Sequence, residues 1–176
     1  MGRVRIIIAS GLAAIGLAAI SAIAPAAARG PQDFARELLA AHNDARAAKG
    51  LDRLAWDGEM ARDAHRWAQL LARSGRLEHA SNAERGGAGE NLWAGTSGRH
   101  SASEMIDAFV EERRDFTPGT FPEVSRTGKW KDVGHYTQII WPETQKVGCA
   151  IARGEHWDFL VCRYWPAGNI VGRKVG

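Results

Sequence analysis

The chain has 176 residues, 45% of them hydrophobic, with 23 basic and 20 acidic side chains and a formal charge of +3. Arg3 and Arg5 lie ahead of an apolar stretch, and without them the balance is 21 against 20. A near-neutral chain with no basic run of interleaved aromatics excludes a nucleic-acid binder of the usual electrostatic kind.

From Ile6 to about Ile23 the sequence is apolar, and it then reaches Ala26-Ala27-Ala28, the small residues that a signal peptidase accepts. A secretory signal over residues 1–28 is expected, cut after Ala28. The alternative is a retained anchor, since about 18 apolar residues just span a bilayer. Many of these residues are the weakly hydrophobic Ala and Gly, and Pro25 precedes the triplet, which favours cleavage. Residues 29–176 then form one domain, with enough chain for a single core and too little for two ordinary ones.

Pro31 suits a first helical turn, Phe34, Leu38, Ala41 and Ala45 follow at helical spacing, and Gly50 is a stop. His42 borders this buried stripe, and with Asn43 and Arg46 it is read as structural, hydrogen-bonding across to the later motifs. A second helix starts near Asp57, carries Met60, Ala64, Trp67 and Leu71 on one stripe, and ends at about Gly75. His65 on that helix and His100 after it are surface residues by default. The glycines at 86, 87 and 89 break the chain before a short strand, Glu90 to Trp93.

Ser101 and Glu104 have capping-box spacing, and the helix they open carries Met105, Phe109, Glu112 and Phe116 at offsets of four, three and four. Glu112 would then lie on the apolar stripe, where a carboxylate is costly unless a charge or hydrogen bonds meet it. The alternative is a helix-edge carboxylate that reaches water, as Glu111 should. Residues 117–133 read as a long loop before a strand from His135 to Trp141. Alternation along that strand puts His135 on one face with Thr137 and Ile139.

A hairpin, Val147 to Ala152 and Trp157 to Tyr164, follows. If it turns between Glu155 and His156, Cys149 and Cys162 are directly opposite, near disulfide separation. Two buried free thiols are the alternative, because a shift of one residue would put them on opposite faces. Helices first and antiparallel strands last argue an α+β fold.

Four segments occur in order: His42-Asn43-Asp44-Ala45-Arg46, Gly89-Glu90-Asn91-Leu92, Gly134-His135-Tyr136-Thr137-Gln138-Ile139-Ile140-Trp141, and Leu160 to Ile170 containing Cys162-Arg163-Tyr164-Trp165-Pro166. Together they resemble the CAP superfamily of cysteine-rich secretory, antigen 5 and plant pathogenesis-related proteins, over roughly residues 35 to 172. The resemblance implies a three-layer α-β-α sandwich with a central, mainly antiparallel sheet. It also implies a cleft lined by His79, Glu90, Glu112 and His135. Ala80 replaces the serine usual after the first histidine, and Phe109 stands where tryptophan is common.

Two imidazoles and two carboxylates can hold Zn²⁺ or another divalent cation, with His79 and His135 as ligands and Glu90 and Glu112 orienting them or a water. The same groups could run metal-assisted hydrolysis of a peptide or ester, with Glu90 or Glu112 as the base. No nucleophile-elbow serine and no HExxH pattern is present. The resemblance implies a secreted, non-enzymatic binding module, with a lipid or sterol-like ligand near the cleft. A metal-assisted hydrolase and a structural envelope protein are the alternatives.

Overall fold

The computed structural model describes residues 30–176, so the expected signal segment lies outside the described residues. Helix α1, Pro31–Ala47, begins with a proline where no intrahelical N–H is needed. The next helix, α2 (Gly58–Ser74), is capped by Asp57, whose carboxylate accepts from the Glu59 and Met60 amides. It stops at Gly75, whose φ of 67° lies in the left-handed region that glycine enters without cost. Helix α3, Ala102–Val110, carries the expected Ser101/Glu104 capping box.

Strands β1 (Ala55–Trp56), β2 (Gly89–Thr96), β4 (Lys146–Arg153) and β5 (Trp157–Trp165) form one sheet in the order β1-β4-β5-β2. Only the β1–β4 pair is parallel. Strand β5 lies in the interior, buried without a break from Asp158 to Tyr164, which is why its sequence is a nearly continuous apolar run. A two-stranded ribbon pairs β3 (Gly119–Thr120) with β6 (Lys174–Val175).

Helix α2 covers one sheet face, with Ala64, Ala68 and Leu71 packed on Leu92, Phe159 and Val161. The other face receives α1, α3 and the short helix α4 (Gly134–Ile139), with Leu38, Met105, Ile106 and Ile139 in the same cluster as Val147 and Leu160. The result is the expected α+β sandwich of three layers. Close approach of the α2 layer depends on Gly148, where an added Cβ would lie 2.4 Å from the Ala61 amide nitrogen and 2.5 Å from the Asp57 carbonyl oxygen.

Cys149 and Cys162 face each other in the β4–β5 ladder and are joined by a disulfide, with their Cα atoms 4.1 Å apart. Gly154 donates to Trp157 at the turn, so alternation makes 149/162 a pair without mutual backbone bonds, the closer of the two antiparallel spacings. The register expected from a turn between Glu155 and His156 is the one observed.

Two expected elements differ. Residues 135–141 are no strand: Gly134–Ile139 is helix α4. Alternation marks a strand only where one face is solvated, and here Tyr136, Thr137, Gln138 and Ile139 are all buried. Both ends of α4 are held by remote side chains: Glu112 accepts from the His135 and Tyr136 amides, and the buried Arg46 donates to the Ile139 and Trp141 carbonyls. The third helix also ends earlier than its spacing suggests, at Val110, and a 3₁₀ turn, Glu111–Arg114, follows. Glu112 therefore sits on that turn and not on the stripe of α3. The strand expected over 90–93 extends across 89–96, and the 117–133 segment holds β3 and a second 3₁₀ turn, Trp130–Asp132.

Candidate functional site

His135 is held on three sides. Glu112 Oε1 lies 2.6 Å from His135 Nδ1, while Glu112 Oε2 accepts from the His135 and Tyr136 amides at 2.9 and 3.1 Å. One carboxylate thus caps α4 and fixes the imidazole. Phe109 stacks on the ring, centroids 4.7 Å apart and planes 22° from parallel. Asn91 Nδ2 donates to the His135 carbonyl at 3.0 Å, and Asn169 Nδ2 donates to that of Gly134 at 2.9 Å.

His79 lies in the segment after α2, with its side chain mostly exposed, and its Nδ1 is 2.6 Å from Oε1 of the buried Glu90. The Ala80 amide donates to the same oxygen at 3.1 Å, and the Arg163 guanidinium bonds Glu90 Oε2. Arg163 also donates to Asp63 on α2 at 3.1 Å, so the buried guanidinium meets two carboxylates. Partial burial, then the charges of Arg85 and Arg163, holds His79 below the usual imidazole value. Because Arg163 neutralises Glu90, that carboxylate does not demand a charged ring.

The four residues expected to line a cleft therefore form two matched pairs, Glu90 with His79 and Glu112 with His135. In each, a carboxylate holds Nδ1, and among the described residues Nε2 has no protein partner. No three of the four groups bring ligating atoms within 4.8 Å of one another. Among the described residues the trio that does is His42, Cys149 and Cys162, and there both sulfurs are spent in the disulfide.

His42 is structural, as expected. It is fully buried, bonded through Nδ1 to the Leu38 carbonyl at 2.7 Å and through Nε2 to the Tyr164 hydroxyl at 2.8 Å. Tyr164 in turn accepts from Asn91 Nδ2 at 3.1 Å, so the α1 motif reaches the His135 backbone through three side chains. Arg46 reaches the 139–144 carbonyls, whereas Asn43 turns to Leu54, exchanging bonds with its N–H and C=O. His65 and His100 are exposed, as expected.

Sequence reasoning assigned no role to Arg163, Asn91 or Asn169. Arg163 was within reach, because Glu90 and Arg163 are direct partners in the β2–β5 ladder, and pairing those strands on paper would have set them side by side.

The sequence profile of the cysteine-rich secretory protein family matches residues 39–164, which contain the first three motifs and the fourth as far as Tyr164. The chain belongs to this family. Among relatives in it, pathogenesis-related leaf protein 4 of Solanum lycopersicum is 37% identical over 145 residues, covering 82% of each chain. Cysteine-rich venom protein VAR10 of Varanus varius is 37% identical over 155 residues, 81% of this chain and 63% of the venom protein. In fold, the chain is similar to the crystal structure of NaASP2 with Zn²⁺, with a TM-score of 0.70 at 23% identity over 85% of this chain and 87% of that one. Among the described residues no helix is long and apolar enough to cross a membrane.

Proposed function

We propose that this chain is exported after loss of residues 1–28 and acts as a non-enzymatic binding module whose His79 and His135 hold a divalent cation through Nε2, zinc being the natural candidate. The observation that carries the reading is the doubled pair: each imidazole has Nδ1 fixed by a carboxylate at 2.6 Å, which sets the tautomer a metal ligand needs. That NaASP2 was solved with Zn²⁺ supports the choice of metal. Water would complete the coordination, since among the described residues no third protein ligand converges.

The hydrolase alternative needs a carboxylate free to take a proton from the attacking water. Both are committed here, Glu112 to three donors and Glu90 to His79, Ala80 and Arg163. Binding without turnover is the better fit, and a structural envelope role would leave the two free Nε2 atoms without a purpose.

Calorimetric titration with Zn²⁺ tests the reading. His135→Ala and His79→Ala should each lose most of the binding, His65→Ala should keep it, and affinity should fall on acidification as protons compete with the metal for the imidazoles. Equal affinity in the wild type and His135→Ala would overturn the metal assignment.

An apolar ligand beside the cleft is the companion proposal. Trp130, Ile170 and Val171 are exposed apolar side chains, and the buried Phe121 meets Trp130 edge-on, ring centroids 5.3 Å apart, while its backbone pairs with the 172–173 turn. Trp130 also borders Gly134, next to His135. Quenching of Trp130 fluorescence by a brominated fatty acid or sterol, lost in Trp130→Ala, is expected; unchanged quenching in that variant would refute this placement.

A further inference from the structure

Among the described residues, strand β4 has an open outer edge beyond Val147. Its inner side pairs with β5 along its whole length, but β1 covers only Lys146 and Val147 before the chain turns into α2. The Asp57 amide donates to the Val147 carbonyl, which shows that odd-numbered residues of β4 turn their backbone groups outward. Alternation then directs the N–H and C=O of Cys149 and Ile151 the same way, and among the described residues none of these four groups has a partner.

This edge forms the floor of a groove of about 1060 Å³, which Cys149, Ala150 and Ile151 line. None of the four cleft residues lines it. One wall carries the apolar Phe34 and Ala35 from α1 and Ala102 and Met105 from α3, with Gln32 and Glu37 of α1 beside them. The other wall belongs to α2 and carries Arg62, His65 and Arg66. Arg62 and Arg66 approach Glu59 and Asp63 at 3.6 and 2.8 Å, and neither of those acids lines the groove. Asp158 lines it too, with its oxygens accepting from Ser97 and Gly98.

We propose that this groove binds an extended peptide as an added strand on β4, with apolar side chains toward α1 and α3 and acidic ones toward α2. A strand sends alternate side chains to opposite faces, so a peptide alternating apolar and acidic residues matches both walls at once. It would occupy the row that β1 leaves at Gly58 and satisfy the four outward groups of Cys149 and Ile151. A second copy is a poorer occupant, because the edge is recessed between helical layers and two recessed edges cannot meet.

The test uses a fluorescein-labelled Glu-Val-Glu-Val-Glu-Val peptide and the disulfide-bonded protein, prepared both from Met1 and from Arg29. Binding should protect the Cys149 and Ile151 amides from hydrogen exchange. Methylating the peptide nitrogens that face β4 should weaken binding by about thirtyfold, the loss expected for two hydrogen bonds. Replacing Glu with Lys in the peptide, or the exposed arginines in Arg62→Glu/Arg66→Glu, should weaken it by about tenfold or more, the size of one to two lost charge pairs.

Equal binding of the methylated peptide, or binding that leaves both amides unprotected, would overturn strand addition. Equal binding of the Lys peptide would overturn the acidic assignment. Gly30 lines the same groove. Binding by the Arg29 form alone would therefore give the row to the protein's own leading segment, and protection that appears with a doubling of mass, without peptide, would give it to a second copy.

Discussion

Acidification should destabilise this protein through His42. The side chain is fully buried and held neutral, its pKa lowered from 6.5 to about 4, first by burial and further by the charge of Arg46, against the favourable bond to the Leu38 carbonyl. Protonation would also turn Nε2 into a donor facing the Tyr164 hydroxyl, whose own proton already occupies that bond. A depressed folded-state value means that the unfolded chain takes up the proton first. The stabilisation is thus complete above pH 6.5 and drains away as the pH falls toward 4. At about 1.4 kcal/mol per unit of pKa, the loss across that window is about 3 kcal/mol.

Urea denaturation of the wild type and His42→Gln at several pH values between 7 and 4 reads this directly. Other titrating groups cancel in the difference between the two curves. His42→Gln should be the less stable protein at pH 7, and the gap should close by about 3 kcal/mol at pH 4. A gap that stays constant across the range would refute the claim that burial keeps His42 neutral.

The other predictions concern single groups. Closing the loop between Cys149 and Cys162 should contribute about 3 kcal/mol, so reduction should lower the melting temperature by roughly 10 °C, and thiol titration of the denatured, unreduced protein should find none free. Glu112→Ala leaves two α4 amides and His135 Nδ1 without their acceptor and should cost about 2 kcal/mol in chemical denaturation, with Glu112→Gln losing less. The exported protein should begin at Arg29 on N-terminal sequencing, and recovery of Met1 in a membrane fraction would refute cleavage.

Local chemistry was legible without the fold. Pro31, Asp57, Gly75 and the Ser101/Glu104 box mark helix ends because each acts on backbone groups within a few residues of itself. The Cys149/Cys162 register was equally readable, since a tight turn fixes which residues of a hairpin face each other. The order of four motifs identified the family and so pointed to His79, Glu90, Glu112 and His135.

What the sequence could not decide was set by groups distant along the chain. Residues 134–139 show strand-like alternation, yet they form a helix because Glu112 takes its first amides and Arg46 its last carbonyls, from 23 and 93 residues away. The role of Glu112 changed with it, from a carboxylate stranded on an apolar stripe to the cap that orients His135. Arg163 became the partner of Glu90 only when β2 was laid beside β5. Periodicity reports which side chains avoid water, and it is silent where a segment is buried on every side; there the backbone takes whichever form its distant hydrogen-bond partners complete.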